Sequence, residues 1–171
     1  MKKILFAVGA ALCLVTAIGV AKDLTEEEMK TEKVYDVPGF KRDQIFTSSR
    51  MWIAENFRSA KAVIEYENKD EGTIIGNGNI KYPCKNIECL AKADWRVSFT
   101  MRVDTKDDKF RLTFTNVHLT WPAQYLNGVA TPAADLPVKR ASDMDKIRPK
   151  LLELGDSIQA AVTKGAASND W

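Results

Sequence analysis

The chain has little of what most reaction centres are built from. Its 171 residues include one histidine and three cysteines, so His118 is the only imidazole. Structural and catalytic zinc take three or four ligands, and the supply here is too small for such a site. No serine or cysteine nucleophile stands with a base, no histidines cluster, and no carboxylates pair with a defensible geometry. Acid–base catalysis needs titratable groups that converge. Glu65 and Glu67, on one strand face, read as solvated charge. Internal repeats and low-complexity tracts are absent, which excludes a solenoid or array. The expectation is a non-enzymatic chain with no cofactor and no metal.

What is present begins with a leader. Lys2 and Lys3 precede an uncharged, mostly apolar run from Ile4 to Ala21, followed by the polar stretch Lys22 to Glu28. This is the pattern of a secretory signal peptide. Gly19 and Ala21 suit cleavage before Lys22, with cleavage after Gly19 as the second choice. The run approaches the ~18 residues that span a bilayer, so an uncleaved anchor is the alternative. A lipoprotein signal at Cys13 wants a small residue directly before the cysteine and Leu three positions before it. Leu12 and Ala10 occupy those places. The expected division is 1–21 signal peptide, 22–33 polar segment, 34–165 one domain and 166–171 tail, in the periplasm or envelope of a bacterium.

Export changes both charge and cysteine chemistry. Of 25 Lys+Arg, two lie in the leader, leaving 23 against 23 Asp+Glu. A neutral mature chain gives no global electrostatic case for nucleic acid or an anionic membrane. Removal of Cys13 leaves Cys84 and Cys89, separated by four residues, which in an oxidising compartment read as a disulfide. Closing so short a loop contributes about 2 kcal/mol on the chain-entropy model. The spacing is not Cys-x-x-Cys, which argues against a redox pair.

The organising stretch is Trp95 to Trp121, one long antiparallel hairpin. Val97, Phe99, Met101 and Val103 alternate with Arg96, Ser98, Thr100 and Arg102, and Phe110, Leu112 and Phe114 alternate with Arg111, Thr113 and Thr115. With Thr105 to Asp108 as the connection, Val103 pairs with Phe110, Met101 with Leu112 and Phe99 with Phe114. That register sets Arg102 opposite Arg111, flanked by Asp104 with Lys109 and Thr100 with Thr113. Like charges across strands are unfavourable, so the two guanidinium groups either splay into water or hold an anion or acidic partner. Beyond Phe114 the apolar phase moves to Val117, Leu119 and Trp121, as a bulge or sheet edge produces.

Around this hairpin the remaining elements fall in order. Lys22 to Lys33 reads as an uncapped tether or loose helix, and Val34 to Val37 as a short strand. Lys41 to Ala60 has helical period, with Ile45, Ser49, Trp52, Ile53, Asn56, Phe57 and Ala60 on one side. Ala62–Glu67 and Thr73–Ile80, joined by the turn residues Asn68 to Gly72, form a second hairpin. Gly76 and Gly78 sit inside a strand, with no helix or Lys-Ser/Thr to follow, and mark a bulge or close approach rather than a phosphate loop. Pro122 to Ala141 is a connection of about twenty residues, of a length usual for lids, binding loops or disorder. A last helix carries Ile147, Leu151, Leu154, Ile158, Ala161 and Val162 on one face. Ser142 and Asp145 cap an early turn, Pro149 kinks it or marks its regular start, and Gly165 ends it. The order β-α-β-β-β-β-α implies a two-layer α+β fold: a curved antiparallel sheet of about five strands with two helices on one face and the other face polar.

Val37 to Phe40, Gln44 to Phe46, Trp52, Phe57, Ala60 to Ile64, Asp70 to Gly78 and the Phe99–Phe114 hairpin together resemble an uncharacterised family of exported bacterial proteins, described as a domain of unknown function with a TATA-binding-protein-like (TBP-like) fold. The resemblance spans Val34 to Val117. It implies a saddle-like sheet backed by helices and brings no activity or catalytic residue. Likeness to a DNA-binding fold does not license DNA binding.

The functional expectation is therefore a binding module for an unknown ligand or envelope protein. Its candidate surface is the polar sheet face of Arg96, Arg102, Arg111 and Thr113. The alternative is a structural or assembly protein that joins other chains through a sheet edge or the 122–141 loop.

Overall fold

The computed structural model describes residues 23–57, 63–126 and 128–167. The leader expected over 1–21 lies outside them. A single helical turn α1 (Glu26–Met29) leads into β1 (Thr31–Asp36), helix α2 (Arg42–Asn56), β2 (Ile64–Asn68) and β3 (Thr73–Lys81). A short helix α3 (Glu88–Ala91), the long strands β4 (Arg96–Lys106) and β5 (Lys109–Trp121), and three short strands follow: β6 (Gln124–Leu126), β7 (Val129–Thr131) and β8 (Ala134–Pro137). Helix α4 (Ala141–Ala167) closes the chain. The main sheet is antiparallel in the order β1-β5-β4-β3-β2, with β8 added to β5 beyond the end of β1.

Burial explains why α2 and α4 share one side of this sheet. Ile45, Phe46, Trp52 and Ile53 of α2 and Met144, Ile147, Leu151, Ile158 and Val162 of α4 are buried against Val97, Phe99, Met101, Val103, Phe110, Leu112 and Phe114. Each large side chain removed from water in this way contributes about 1.5–3 kcal/mol. Tyr35 stacks on Phe110, with ring centroids 4.9 Å apart, and donates its hydroxyl to the Leu152 carbonyl at 2.9 Å. Gly155 makes that crossing feasible, because a Cβ there would overlap the Tyr35 ring and hydroxyl. Gly76 and Gly78 likewise mark close approach, to the Val63 carbonyl and to the rings of Phe99 and Phe57.

The central hairpin differs from expectation in register. Its turn is only Asp107-Asp108, so Lys106 pairs with Lys109, Asp104 with Arg111, Arg102 with Thr113 and Met101 with Phe114. The slip is two residues, which preserves both faces. Asp108 takes a left-handed φ of 65°, which aspartate tolerates better than most residues. Distant contacts hold it there: Asp108 N–H donates to the Phe40 carbonyl at 2.9 Å, and its carboxylate accepts from Gly39 N–H at 2.7 Å. Asp107 accepts from Arg42 N–H at 2.8 Å and so satisfies an orphan donor at the start of α2. The expected bulge is present where Asn116 and Val117 stand against Phe99, with Asn116 at φ 50°.

Three further readings are corrected. The segment before Val34 is no tether: Thr25 and Glu28 form a reciprocal cap on α1, Met29 is buried, and β1 already starts at Thr31. Pro122 to Ala141 is not one irregular connection, since β6 and β7 pair as a small hairpin and β8 extends the sheet. Helix α4 is already regular from Ala141, so Pro149 lies inside it and does not mark its start, and the helix runs past Gly165. Pro149 is on the solvent side, where water can reach the carbonyl that loses its amide partner.

Candidate functional site

Opposite the helices, the period-two alternation leaves a face of polar side chains with no element packed over it among the described residues. Strand register arranges them in rows across the sheet. One row holds Thr73, Asp104, Arg111 and Val34; the next holds Ile75, Arg102, Thr113 and Glu32. Nearer the other end come the rows of Asn77, Thr100 and Thr115, then Asn79, Ser98 and His118, then Lys81, Arg96, Thr120 and Asp135.

Of the four expected binding residues, Arg102, Arg111 and Thr113 fall in two adjacent rows and Arg96 stands apart. Arg102 and Arg111 both turn to Asp104: Arg102 Nε donates to Oδ1 at 2.8 Å and Arg111 Nη2 to Oδ2 at 2.9 Å, with Thr73 Oγ1 on Oδ1 at 3.2 Å. The Asp104 side chain is 17% exposed against 48% for each arginine. Burial pushes its carboxyl up, but the hydrogen bonds from Arg102 and Arg111 outweigh that and hold it below the ordinary carboxylate range. Thr113 is buried and donates to Glu32 Oε2 at 3.1 Å. Arg96 lies six residues along β4 from Arg102, about 20 Å away. It makes one long contact, from Nη1 to Asn79 Oδ1 at 3.4 Å, and no ion pair among the described residues.

Register reveals neighbours that sequence reasoning missed. Lys81 stands across from Arg96, also without an ion pair among the described residues. Together with Thr120, Trp121, Pro122, Ala93 and Asp94 they line an open groove of about 580 Å³ at this end of the sheet. Trp121 is held flat against Trp95, centroids 4.4 Å apart and planes 14° from parallel. A smaller recess of about 180 Å³ lies at the opposite end, between Val34, Asp104, Lys106, Lys109, Phe110 and Arg111.

His118 Nδ1 meets Asp135 Oδ1 at 2.7 Å, and Ser98 stands across the strands from His118. These are the residue types of a hydrolytic triad, yet no hydrogen bond joins Ser98 to the ring among the described residues. The neighbouring backbone amides belong to the sheet ladder rather than to an oxyanion hole. No three His, Cys, Asp or Glu side chains group as metal ligands among the described residues.

Cys84 and Cys89 form the expected disulfide, Cα atoms 5.1 Å apart. Inside the loop they close, Ile87 and, just beyond it, Leu90 stay 80% and 83% exposed. The loop is tied down by Glu88, which accepts from Lys146 Nζ at 2.8 Å and from Lys92 Nζ at 2.9 Å. Those two hydrogen bonds, with Lys146 the stronger, hold the Glu88 carboxyl down at about 2. Beneath it, Tyr82 donates to Asp143 Oδ1 at 2.6 Å, and burial followed by that bond pushes its phenol well above the ordinary value.

Residues 32–120 match the family described as a domain of unknown function (DUF4468) with a TBP-like fold. The chain belongs to the DUF4468 family. Its fold is similar to that of a TBP-like protein from Parabacteroides distasonis, at 10% identity and a TM-score of 0.58, over 78% of this chain and 92% of that one. It is also similar to a DUF4468 family protein from Bacteroides ovatus, at 17% identity and a TM-score of 0.52, over 82% of this chain and 87% of that one. No curated protein matches. The DUF4468 match ends one residue before the end of β5, so β6, β7, β8 and α4 lie beyond it, whereas β2 to β4, α2 and the Cys84–Cys89 loop lie inside it. No helix among the described residues is long and apolar enough to cross a membrane.

Proposed function

We propose that this chain is an exported, non-enzymatic binding module of the bacterial envelope, and that the sheet face left bare by its helices is its binding surface. One observation carries the reading. Both long helices pack on the same side, so the strands present a rigid, polar, uncovered surface on the other. Sites on regular strands are held more firmly than sites on loops. The Cys84–Cys89 disulfide supports export, since such bonds persist in oxidising compartments.

The test is retention of envelope components on immobilised mature chain. Arg96→Glu and Thr100→Arg alter the sheet face, and Lys164→Glu alters the exposed end of α4. The reading predicts that a retained species is lost with either sheet-face variant and kept with Lys164→Glu. Retention indifferent to both sheet-face changes contradicts it.

A second reading, assembly with other chains, has its own support. Strand β2 is an edge of the sheet, and the β6–β7 hairpin leaves Tyr125 and Val129 75% and 66% exposed. Unpaired edges and exposed apolar tips are common points of association. Sedimentation velocity over a wide concentration range separates the readings: growth in size with concentration that is abolished by Tyr125→Ser and Val129→Ser favours assembly.

A further inference from the structure

The row of Lys81, Arg96, Thr120 and Asp135 marks one end of the sheet, and the chain leaves and re-enters that row twice, over 82–95 and over 121–134. The two excursions meet at their roots, where Trp95 stacks on Trp121. Eight large apolar side chains are exposed among the described residues. The four most exposed are Ile87 and Leu90 on the first excursion and Tyr125 and Val129 on the second. Composition agrees, since Trp121 to Ala134 holds no charged residue in a chain that is 28% charged. Apolar residues scattered singly over a surface need no explanation, but the most exposed ones gathered at one end mark an interaction site.

Geometry selects the partner. The β6–β7 hairpin continues the register of β5–β8, from Trp121 opposite Ala134 to Gln124 opposite Thr131. At about 3.3 Å per residue it carries Tyr125 as much as ~13 Å past Trp121. Val129 pairs with the residue next to Tyr125, so the two side chains project from opposite faces of the hairpin. A protein surface laid against one face leaves the other in water, whereas a tip that enters a bilayer covers both. Tyrosine suits the boundary between acyl chains and water. Ile87 and Leu90 are carried on a segment closed by the Cys84–Cys89 disulfide and anchored through Glu88, so little order has to be gained on docking. Residues 81–96 hold Lys81, Lys85, Lys92 and Arg96 against Glu88 and Asp94, an excess of cations that adds attraction to anionic headgroups.

The fold also sets this end beside the leader. Leu24 N–H donates to the Lys139 carbonyl at 3.1 Å, and Asp23 pairs with the Lys139 side chain at 3.1 Å. Lys139 directly precedes α4, whose Asp143 and Lys146 hold the 82–95 excursion through Tyr82 and Glu88. The apolar run Ile4 to Ala21 stops just before Asp23, so on the export reading, on which this inference rests, this end is the one nearest the bilayer as the chain is delivered. We propose that this end of the sheet docks on a lipid bilayer, with Ile87, Leu90, Tyr125 and Val129 inserted at the boundary of headgroups and acyl chains. The sheet then stands off the membrane with its polar face open to solvent.

The experiment floats the mature chain on a density gradient with vesicles of phosphatidylethanolamine and phosphatidylglycerol. The chain is expected to rise with the vesicles. Tyr125→Ser/Val129→Ser and Ile87→Ser/Leu90→Ser each lower partitioning roughly tenfold, the loss expected when two partly inserted apolar side chains are removed. Val34→Ser/Met51→Ser, which alters exposed apolar residues elsewhere, leaves it within about twofold. Every altered side chain is exposed, so the variants keep the fold, and circular dichroism checks that they do. Folded chain that stays at the bottom at about 5 mM lipid overturns the inference. So does flotation that both tip variants leave unchanged and about 0.5 M salt abolishes, which is adsorption by charge alone. Growth in size with concentration in the absence of lipid, lost in Tyr125→Ser/Val129→Ser, gives the tips to a second copy and overturns it too. None of these outcomes touches the sheet face as a binding surface.

Discussion

Arg111 lies across the strands from Asp104, its Nη2 2.9 Å from the carboxylate, and not across from Arg102. Asp104 is therefore the hub of this part of the face, with two guanidiniums and the Thr73 hydroxyl on its two oxygens. Removing a shared acceptor costs more than removing one of its donors. Asp104→Ala is expected to lower stability by about 1–2 kcal/mol in urea unfolding, since it strands two adjacent cations. Arg111→Ala should cost less, because Arg102 keeps its partner. Had the arginines opposed each other, Arg111→Ala would stabilise the chain.

Gly155 sits in the middle of α4, where alanine ordinarily improves a helix by about 1 kcal/mol. Here the Cβ would overlap Tyr35. Gly155→Ala is expected to destabilise by about 1–3 kcal/mol, the usual cost of overpacking. Thermal unfolding of the variant checks the sign: a raised melting temperature would mean that α4 does not cross β1 at this point.

The Glu88 anchor has a defined pH window. Its carboxyl is held down at about 2 by Lys146 and Lys92, below the value of an unfolded glutamate near 4.5. The folded state therefore prefers the charged form, and the stabilisation is complete above about pH 4.5 and fades as pH falls towards 2. Glu88→Gln should lower the melting temperature by a constant amount from pH 5 to 8. That difference should shrink steadily between pH 4.5 and 2. A difference unchanged down to pH 2 would show that the ion pairs to Lys92 and Lys146 are not its source.

Replacing both Cys84 and Cys89 by alanine should cost about 2 kcal/mol, the modest value expected for so short a closed loop. The Glu88 contacts to Lys146 and Lys92 and the part-buried Tyr82–Asp143 bond remain to hold the segment. Urea unfolding of the oxidised chain and of the double variant measures it. A fold lost altogether would show that the disulfide supports more than its own loop.

The long elements were legible because burial writes itself into periodicity: every second residue of β4 and β5, and the Ile147–Leu151–Ile158 stripe of α4. Hairpin register was not. It is set by contacts of Asp107 and Asp108 with Gly39, Phe40 and Arg42, more than sixty residues away, which shorten the turn. Strand β8 left no trace because it adds by backbone pairing and exposes Asp135 and Leu136, so no alternation marks it. Arg96, Arg102, Arg111 and Thr113 were found by parity on one strand pair. Lys81 belongs to the neighbouring hairpin, and only the sheet order brings it to Arg96.

Native mass spectrometry of the mature chain, purified gently from the envelope fraction of its own host with and without reductant, tests the binding-module account most directly. The account predicts a chain cleaved near Ala21, lighter than its reduced form by the two hydrogens of the disulfide. It also predicts a reproducible bound mass that disappears in Arg96→Glu and persists in Lys164→Glu. A bare chain in every preparation, or a bound mass unaffected by Arg96→Glu and Thr100→Arg, would contradict the assignment of the sheet face as the binding surface.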